Sequence, residues 1–143
     1  MSEKVLVSGI SGWIAKHTAI ELLNVGYKVL GTLRNNNLIE QTKETISKYA
    51  PIENLSFVEL DLLKDEGWNE AAQGCKYIMH IASPFPYKVS NNRNSLLAPA
   101  VDGTLRVLNA GVKANVEQII KTSSIVAMFR KPNRSNPYSF GEN

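Results

Sequence analysis

Residues Val5 to Ala15 read Val-Leu-Val-Ser-Gly-Ile-Ser-Gly-Trp-Ile-Ala, an apolar run that breaks at two spaced glycines and resumes as a helical pattern. A strand that turns sharply into a helix needs a backbone able to reach positive φ, and Gly9 supplies it. Gly12 has no side chain to hold a phosphate away from the main chain. The helix behind it offers unpaired N–H groups and the positive end of its dipole. Ala15 stands where such turns usually carry a third glycine, a position that governs helix–strand packing and tolerates alanine. The pattern predicts a pyrophosphate-cradling turn, with Ser11, Trp13 and Ile14 beside the glycines as further contacts. A turn with a purely structural purpose satisfies the same pattern, so the rest of the chain must decide.

Strand and helix patterns alternate from there on. Lys4 to Ser8 reads as the first strand, followed by a helical stripe of Ala15, Ala19, Leu22 and Leu23 that Gly26 stops. Tyr27 to Leu33 is a second strand, Ile39 to Tyr49 a helix ended by Pro51, and Leu55 to Leu60 a third strand. A short helix over Gly67 to Gln73 precedes a fourth strand, Lys76 to Ala82. A long helix entered near Pro99 then presents Val101, Leu105, Leu108 and Val112 on one face, and Val116 to Thr122 is a fifth strand. Beyond Ile125 the regularity fades, and Lys131 to Asn143 is rich in turn formers.

This alternation predicts an α/β fold, a Rossmann-type doubly wound parallel sheet truncated after about the fifth strand. Residues 1–130 are expected to form the dinucleotide-binding domain and 131–143 a loop leading toward a catalytic helix and substrate lobe. The common order of such a sheet is 3-2-1-4-5-6, so one more strand–helix unit is expected. Without it, the fifth strand becomes an open edge beside an uncovered apolar face, and self-association is the expected consequence.

Bulk properties exclude several classes. No apolar run approaches the ~18 residues of a membrane span, and the N-terminus passes directly into a strand rather than a signal peptide. Cys75, the one cysteine among 143 residues, can form neither an internal disulfide nor a metal cluster and reads as a buried thiol. These features predict a cytoplasmic protein without membrane partners. The net charge is +3, and Lys121 to Gly141 contains no acid but carries Lys121, Arg130, Lys131 and Arg134. No recognition helix or aromatic–basic interleaving accompanies that stretch, so it reads as a solvated loop beside an anionic-cofactor site rather than a nucleic-acid surface.

In open parallel sheets, ligands lie beyond the carboxyl ends of the strands. Candidate residues follow each strand here: Gly9 to Gly12, Arg34, Asp61 with Leu62, Ile81 to Ser83 including Ala82, and Thr122 to Ser124 including Ser123. An NAD site usually places a carboxylate near the end of the second strand for the ribose hydroxyls. The segment Gly31-Thr32-Leu33-Arg34 has none, and a guanidinium there suits the 2′-phosphate of NADP(H). Asp61 either accepts from an adenine amino group or caps the turn that follows it. His80, on an apolar strand, reads as a structural imidazole bonded to the backbone. Gly103 suggests close packing beside the fourth strand, and Thr104 a bond to a neighbouring loop.

Taken together these segments resemble the extended short-chain dehydrogenase/reductase family, in its dihydroflavonol 4-reductase and cinnamoyl-CoA reductase branch. The matching pieces are residues 7 to 15, Gly-Thr-Leu-Arg (31 to 34), Asp-Leu (61 to 62) and His-Ile-Ala-Ser-Pro (80 to 84). Pro-Ala-Val-Asp-Gly-Thr (99 to 104) and Lys-Thr-Ser-Ser-Ile-Val-Ala (121 to 127) complete the set. The resemblance implies NADPH-dependent hydride transfer to a small-molecule aldehyde or ketone. It implies that Ser124 hydrogen-bonds the substrate carbonyl as a catalytic residue, and that Ser123 lines the nicotinamide end.

The family's proton donor is a tyrosine with a lysine four residues on, whose charge lowers the tyrosine pKa. Here the tyrosine after Ser124 is Tyr138, and four residues on stands Glu142. A positioned proton donor contributes roughly 10² to 10⁴ in rate, so this chain alone is expected to bind cofactor without turning over. A non-catalytic NADP-sensing module, or an epimerase or dehydratase on the same scaffold, remain the alternative readings.

Overall fold

The computed structural model describes residues 3–83 and 94–124, with side chains excepted over 94–99. Its elements are β1 (Lys4–Ser8), α1 (Trp13–Asn24), β2 (Lys28–Leu33), a 3-10 turn (Asn36–Leu38) running into α2 (Ile39–Ser47), and β3 (Leu55–Glu59). They continue with α3 (Trp68–Ala72), β4 (Tyr77–His80), α4 (Asn94–Lys113) and β5 (Gln118–Lys121). The five strands form one sheet in the order β3-β2-β1-β4-β5, and every pairing is parallel. This is the expected Rossmann-type doubly wound sheet.

The central strand explains its own place. Val5, Leu6, Val7 and Ser8 are all at most 1% exposed, as a parallel strand covered on both faces requires. On one face, Val5, Val7, Val29 and Leu33 pack with Ala15, Ala19 and Leu23 of α1 and Ile46 of α2. On the other, Leu6, Leu30 and Ile78 pack with Trp68 and Ala71 of α3 and Val107 and Ala110 of α4. Each such aliphatic side chain contributes about 1.5–3 kcal/mol by leaving water, so the two layers hold the strand ends in fixed register. Trp68 is further tied by its indole N–H, which donates to the Asp61 carbonyl at 3.0 Å.

The expected strands and helices all occur, with ends trimmed by one or two residues at most positions. Larger departures concern α4. It begins at Asn94, five residues before the proline taken as its entry. Most of its expected apolar stripe faces outward: Val101, Leu105 and Val112 are 47%, 50% and 72% exposed and Leu108 is half-buried, whereas Gly103, Val107, Ala110 and Gly111 are buried. Small residues lie against the sheet because they let the helix approach closely; a Cβ on Gly111 would sit 2.5 Å from Ile119 Cδ1. Gly103 packs not on the fourth strand but against Leu62, beyond β3, where an added Cβ would lie 2.8 Å from the Leu62 Cβ. The Thr104 hydroxyl donates back along the helix to the Ala100 carbonyl at 2.6 Å and meets no loop among the described residues. The loop expected over 131–143 lies outside the described residues.

Candidate functional site

The sheet order places β1 beside β4, so the connections leaving these two strands run to opposite faces and open a crevice between their carboxyl ends. The opposite edge is closed by charge: Lys76, just before β4, pairs with Glu3 and, at 3.4 Å, with Glu117.

The glycine turn sits at the crevice. Gly9 takes φ +71, and a Cβ there would meet Ala82 Cα and Cβ at 3.0 Å, so both conformation and space require glycine. The turn is anchored to β2: the Gly9 N–H donates to Thr32 Oγ1 at 3.3 Å and the Ile10 N–H to the Thr32 carbonyl at 2.9 Å. Ile10 is wholly buried and fills the space that Gly31 leaves empty. Gly12 is the N-cap of α1, with no side-chain cap and no acid in the first turn. The first-turn N–H groups of a helix lack intrahelical acceptors, and here no side chain supplies one. An anion fits that place. Trp13 is the first residue of α1. Its ring is 74% exposed, stands edge-on to His17 at 4.6 Å, and lines a depression of about 470 Å³ between α1 and α2 with Lys16, Thr45 and Tyr49. Ile14 is 51% exposed on the same helix.

At the end of β2, Arg34 is exposed and forms no ion pair with a described residue. The next residue, Asn35, accepts from the Asn37 N–H at 2.9 Å and so starts the 3-10 turn. The Asn36 N–H donates to Glu59 Oε2 at 3.3 Å. Glu59 is the cross-strand neighbour of Leu33, and sequence reasoning missed it because the acid comes from β3, not from β2. Beyond β3, the Asp61 carboxylate caps the following turn, accepting from the Leu63 N–H at 2.9 Å. The Leu62 carbonyl accepts from Arg106 Nη1 at 2.7 Å, while Arg106 also pairs with Asp65. The end of β3 is thereby fixed to α4.

Between β1 and β4 lies a buried polar cluster. Ser8 Oγ accepts from the Ile81 N–H at 2.9 Å and the Ala82 N–H at 3.0 Å. Its own proton is therefore directed to His80 Nδ1, 2.8 Å away, which places the ring proton on Nε2. His80 is 1% exposed, and burial first, then the charge of Lys121, pushes its pKa down to about 4. The imidazole is buried and hydrogen-bonded, but its partner at Nδ1 is a serine hydroxyl and not the expected backbone group. His80 Nε2 meets no acceptor among the described residues. The cluster sets the path of Ile81 and Ala82 as they leave β4 and so shapes the wall against which Gly9 packs. Ser83, Thr122, Ser123 and Ser124 are exposed at the same edge, and the Thr122 N–H donates to the His80 carbonyl at 3.1 Å. Tyr138 and Glu142 lie outside the described residues. Cys75 is remote and inert, 5% exposed with burial raising its pKa.

Residues 5–142 match the NAD dependent epimerase/dehydratase family. The chain is 34% identical over 121 residues to a dihydroflavonol 4-reductase of Hordeum vulgare, covering 84% of this chain and 34% of that protein. It is 38% identical over 130 residues to cinnamoyl-CoA reductase 1 of Petunia hybrida, covering 91% and 38% respectively. A crystal structure of yeast methylglyoxal/isovaleraldehyde reductase Gre2 complexed with NADPH superposes with a TM-score of 0.75 at 31% identity, covering 87% of this chain and 38% of that one. The chain thus spans little more than a third of these proteins.

Proposed function

The chain belongs to the NAD dependent epimerase/dehydratase family, and from that premise we propose that it forms the NADP(H)-binding portion of a reductase that transfers hydride to an aldehyde or ketone. The observation that carries this reading is the uncapped α1 N-terminus behind the Gly9–Gly12 turn, set at the point where the sheet's connections diverge. Relatives named as reductases, and a structural neighbour named as an NADPH complex, support it.

The roles follow the strand ends. The N–H groups of Ser11, Trp13 and Ile14 hold the pyrophosphate; the Gly12 N–H is spent inside the turn on the Gly9 carbonyl at 2.9 Å, and Gly12 serves by placing no side chain in the way. Arg34, uncommitted to any described carboxylate, pairs with a 2′-phosphate. Asp61 and Leu62 border the adenine, and Ile81, Ala82 and Ser83 border the central part of the dinucleotide. Thr122 and Ser123 line the nicotinamide end, where the bound nicotinamide supplies hydride. Ser124 orients the carbonyl oxygen by hydrogen bonding.

No lysine stands four residues after a tyrosine anywhere beyond Ser124, so the chain by itself lacks the paired donor that would protonate an alkoxide. We expect the isolated 143-residue chain to bind NADPH and not to turn over. Fluorescence titration with NADPH and NADH, with Arg34→Ala as control, tests the cofactor assignment. An NADPH-oxidation assay over aldehyde and ketone panels tests the rest. An NADPH preference that survives Arg34→Ala contradicts the 2′-phosphate role, and turnover at an ordinary reductase rate contradicts the expected inactivity.

A further inference from the structure

We propose that Glu59 on β3 is a second determinant of cofactor choice, opposing Arg34, so that the site takes both phosphorylated and unphosphorylated dinucleotides. The inference rests on the cofactor reading above. Along the sequence the end of β2 carries a cation and no acid, the pattern of a 2′-phosphate site. In space it carries both charges. Glu59 is paired in register with Leu33, the residue before Arg34, and parallel neighbours lie about 4.8 Å apart.

The carboxylate is held on the loop that Arg34 opens, since Oε2 accepts from the Asn36 N–H at 3.3 Å. Asn35 is occupied with Asn37, so it does not compete for that place. Glu59 and Arg34 are both exposed, and no ion pair joins them. Each charge is therefore presented to whatever binds. A carboxylate retains several acceptor sites after one hydrogen bond, and ribose hydroxyls donate to such a group in sites that take NAD. A 2′-phosphate brings a charge of about −1.5 to −2 to the same corner. It is drawn by Arg34 and repelled by Glu59.

The test uses the full chain and measures NADPH and NADH affinities by fluorescence titration for the native protein, Glu59→Gln and Glu59→Asp. Glutamine keeps an acceptor for the Asn36 N–H and removes only the charge; aspartate keeps the charge and withdraws the acceptor. Glu59→Gln is expected to tighten NADPH by roughly five-fold, the scale of relieving one like-charge repulsion in solvent, and to weaken NADH. Glu59→Asp is expected to keep a ratio close to the native one. If Glu59 only holds the loop, the order reverses: aspartate disturbs both cofactors and glutamine neither, and the proposal fails while the cofactor reading stands. If the native protein binds neither nucleotide, the cofactor reading fails and this proposal with it. Thermal melts of both variants confirm folding, which the exposure of Glu59 on an edge strand favours.

Discussion

The Ser8–His80 cluster makes stability depend on pH in a window where few other groups titrate. His80 has a folded pKa of about 4 against an ordinary 6.5. Between these values the unfolded chain binds the proton and the folded chain does not, so stability rises with pH through the window. The contribution is fully present above about pH 6.5 and is lost as pH falls toward 4. At 1.36 kcal/mol per pKa unit it amounts to about 3 kcal/mol in all, of which about 2 kcal/mol is gone by pH 5. Geometry gives the same sign independently. Ser8 Oγ already accepts two main-chain N–H groups, so protonating Nδ1 would set two donors against each other. The assay is urea unfolding at pH 8, 6 and 5 for the native chain and His80→Gln. The native midpoint should fall by roughly 1 M between pH 8 and 5, and the variant's by much less. Parallel profiles for the two proteins would refute the reasoning.

Further outcomes follow from the same contacts. Ser8→Ala leaves His80 Nδ1 and two main-chain N–H groups without their shared partner and should cost about 1–3 kcal/mol by urea unfolding. Gly9→Ala forces a side chain into positive φ against Ala82; calorimetry should show nucleotide affinity falling at least ten-fold, with about 1–2 kcal/mol lost from stability. The outward residues Val101, Leu105 and Val112 form an exposed apolar stripe. Sedimentation should show concentration-dependent association of the native chain, weakened in Leu105→Lys; a monomer at all concentrations would count against this.

The fold was legible where one physical signal dominated. Val5 to Ser8 announced a strand buried on both faces, and the glycines after it announced the turn. The α4 face was not legible, because two sides of that helix carry apolar or small residues at the same period. Hydrophobicity favours Val101 and Leu105, whereas close approach to Leu62 selects Gly103 and packing on the sheet selects Val107 and Ala110. The start of α4 is not legible because a proline ordinarily marks the first turn of a helix, and Pro99 stands in the second. At the site, residues contributed by strand ends could be placed from chain order alone. Contacts across the sheet could not. Ser8 meets His80 from 72 positions away, and Glu59 reaches the Arg34 loop through the β2–β3 register. Asp61 left two readings open in the sequence, and the geometry gives its Oδ1 to the Leu63 N–H.

The central claim is that a dinucleotide binds with its phosphates on the α1 N-terminus. Backbone amide shifts of the assigned chain during NADPH titration test it most directly. The largest changes are expected at Gly9 to Ala15, with smaller ones at Arg34 to Asn36 and at Ile81 and Ala82. Changes confined to the depression between α1 and α2, around His17, Thr45 and Tyr49, would contradict it.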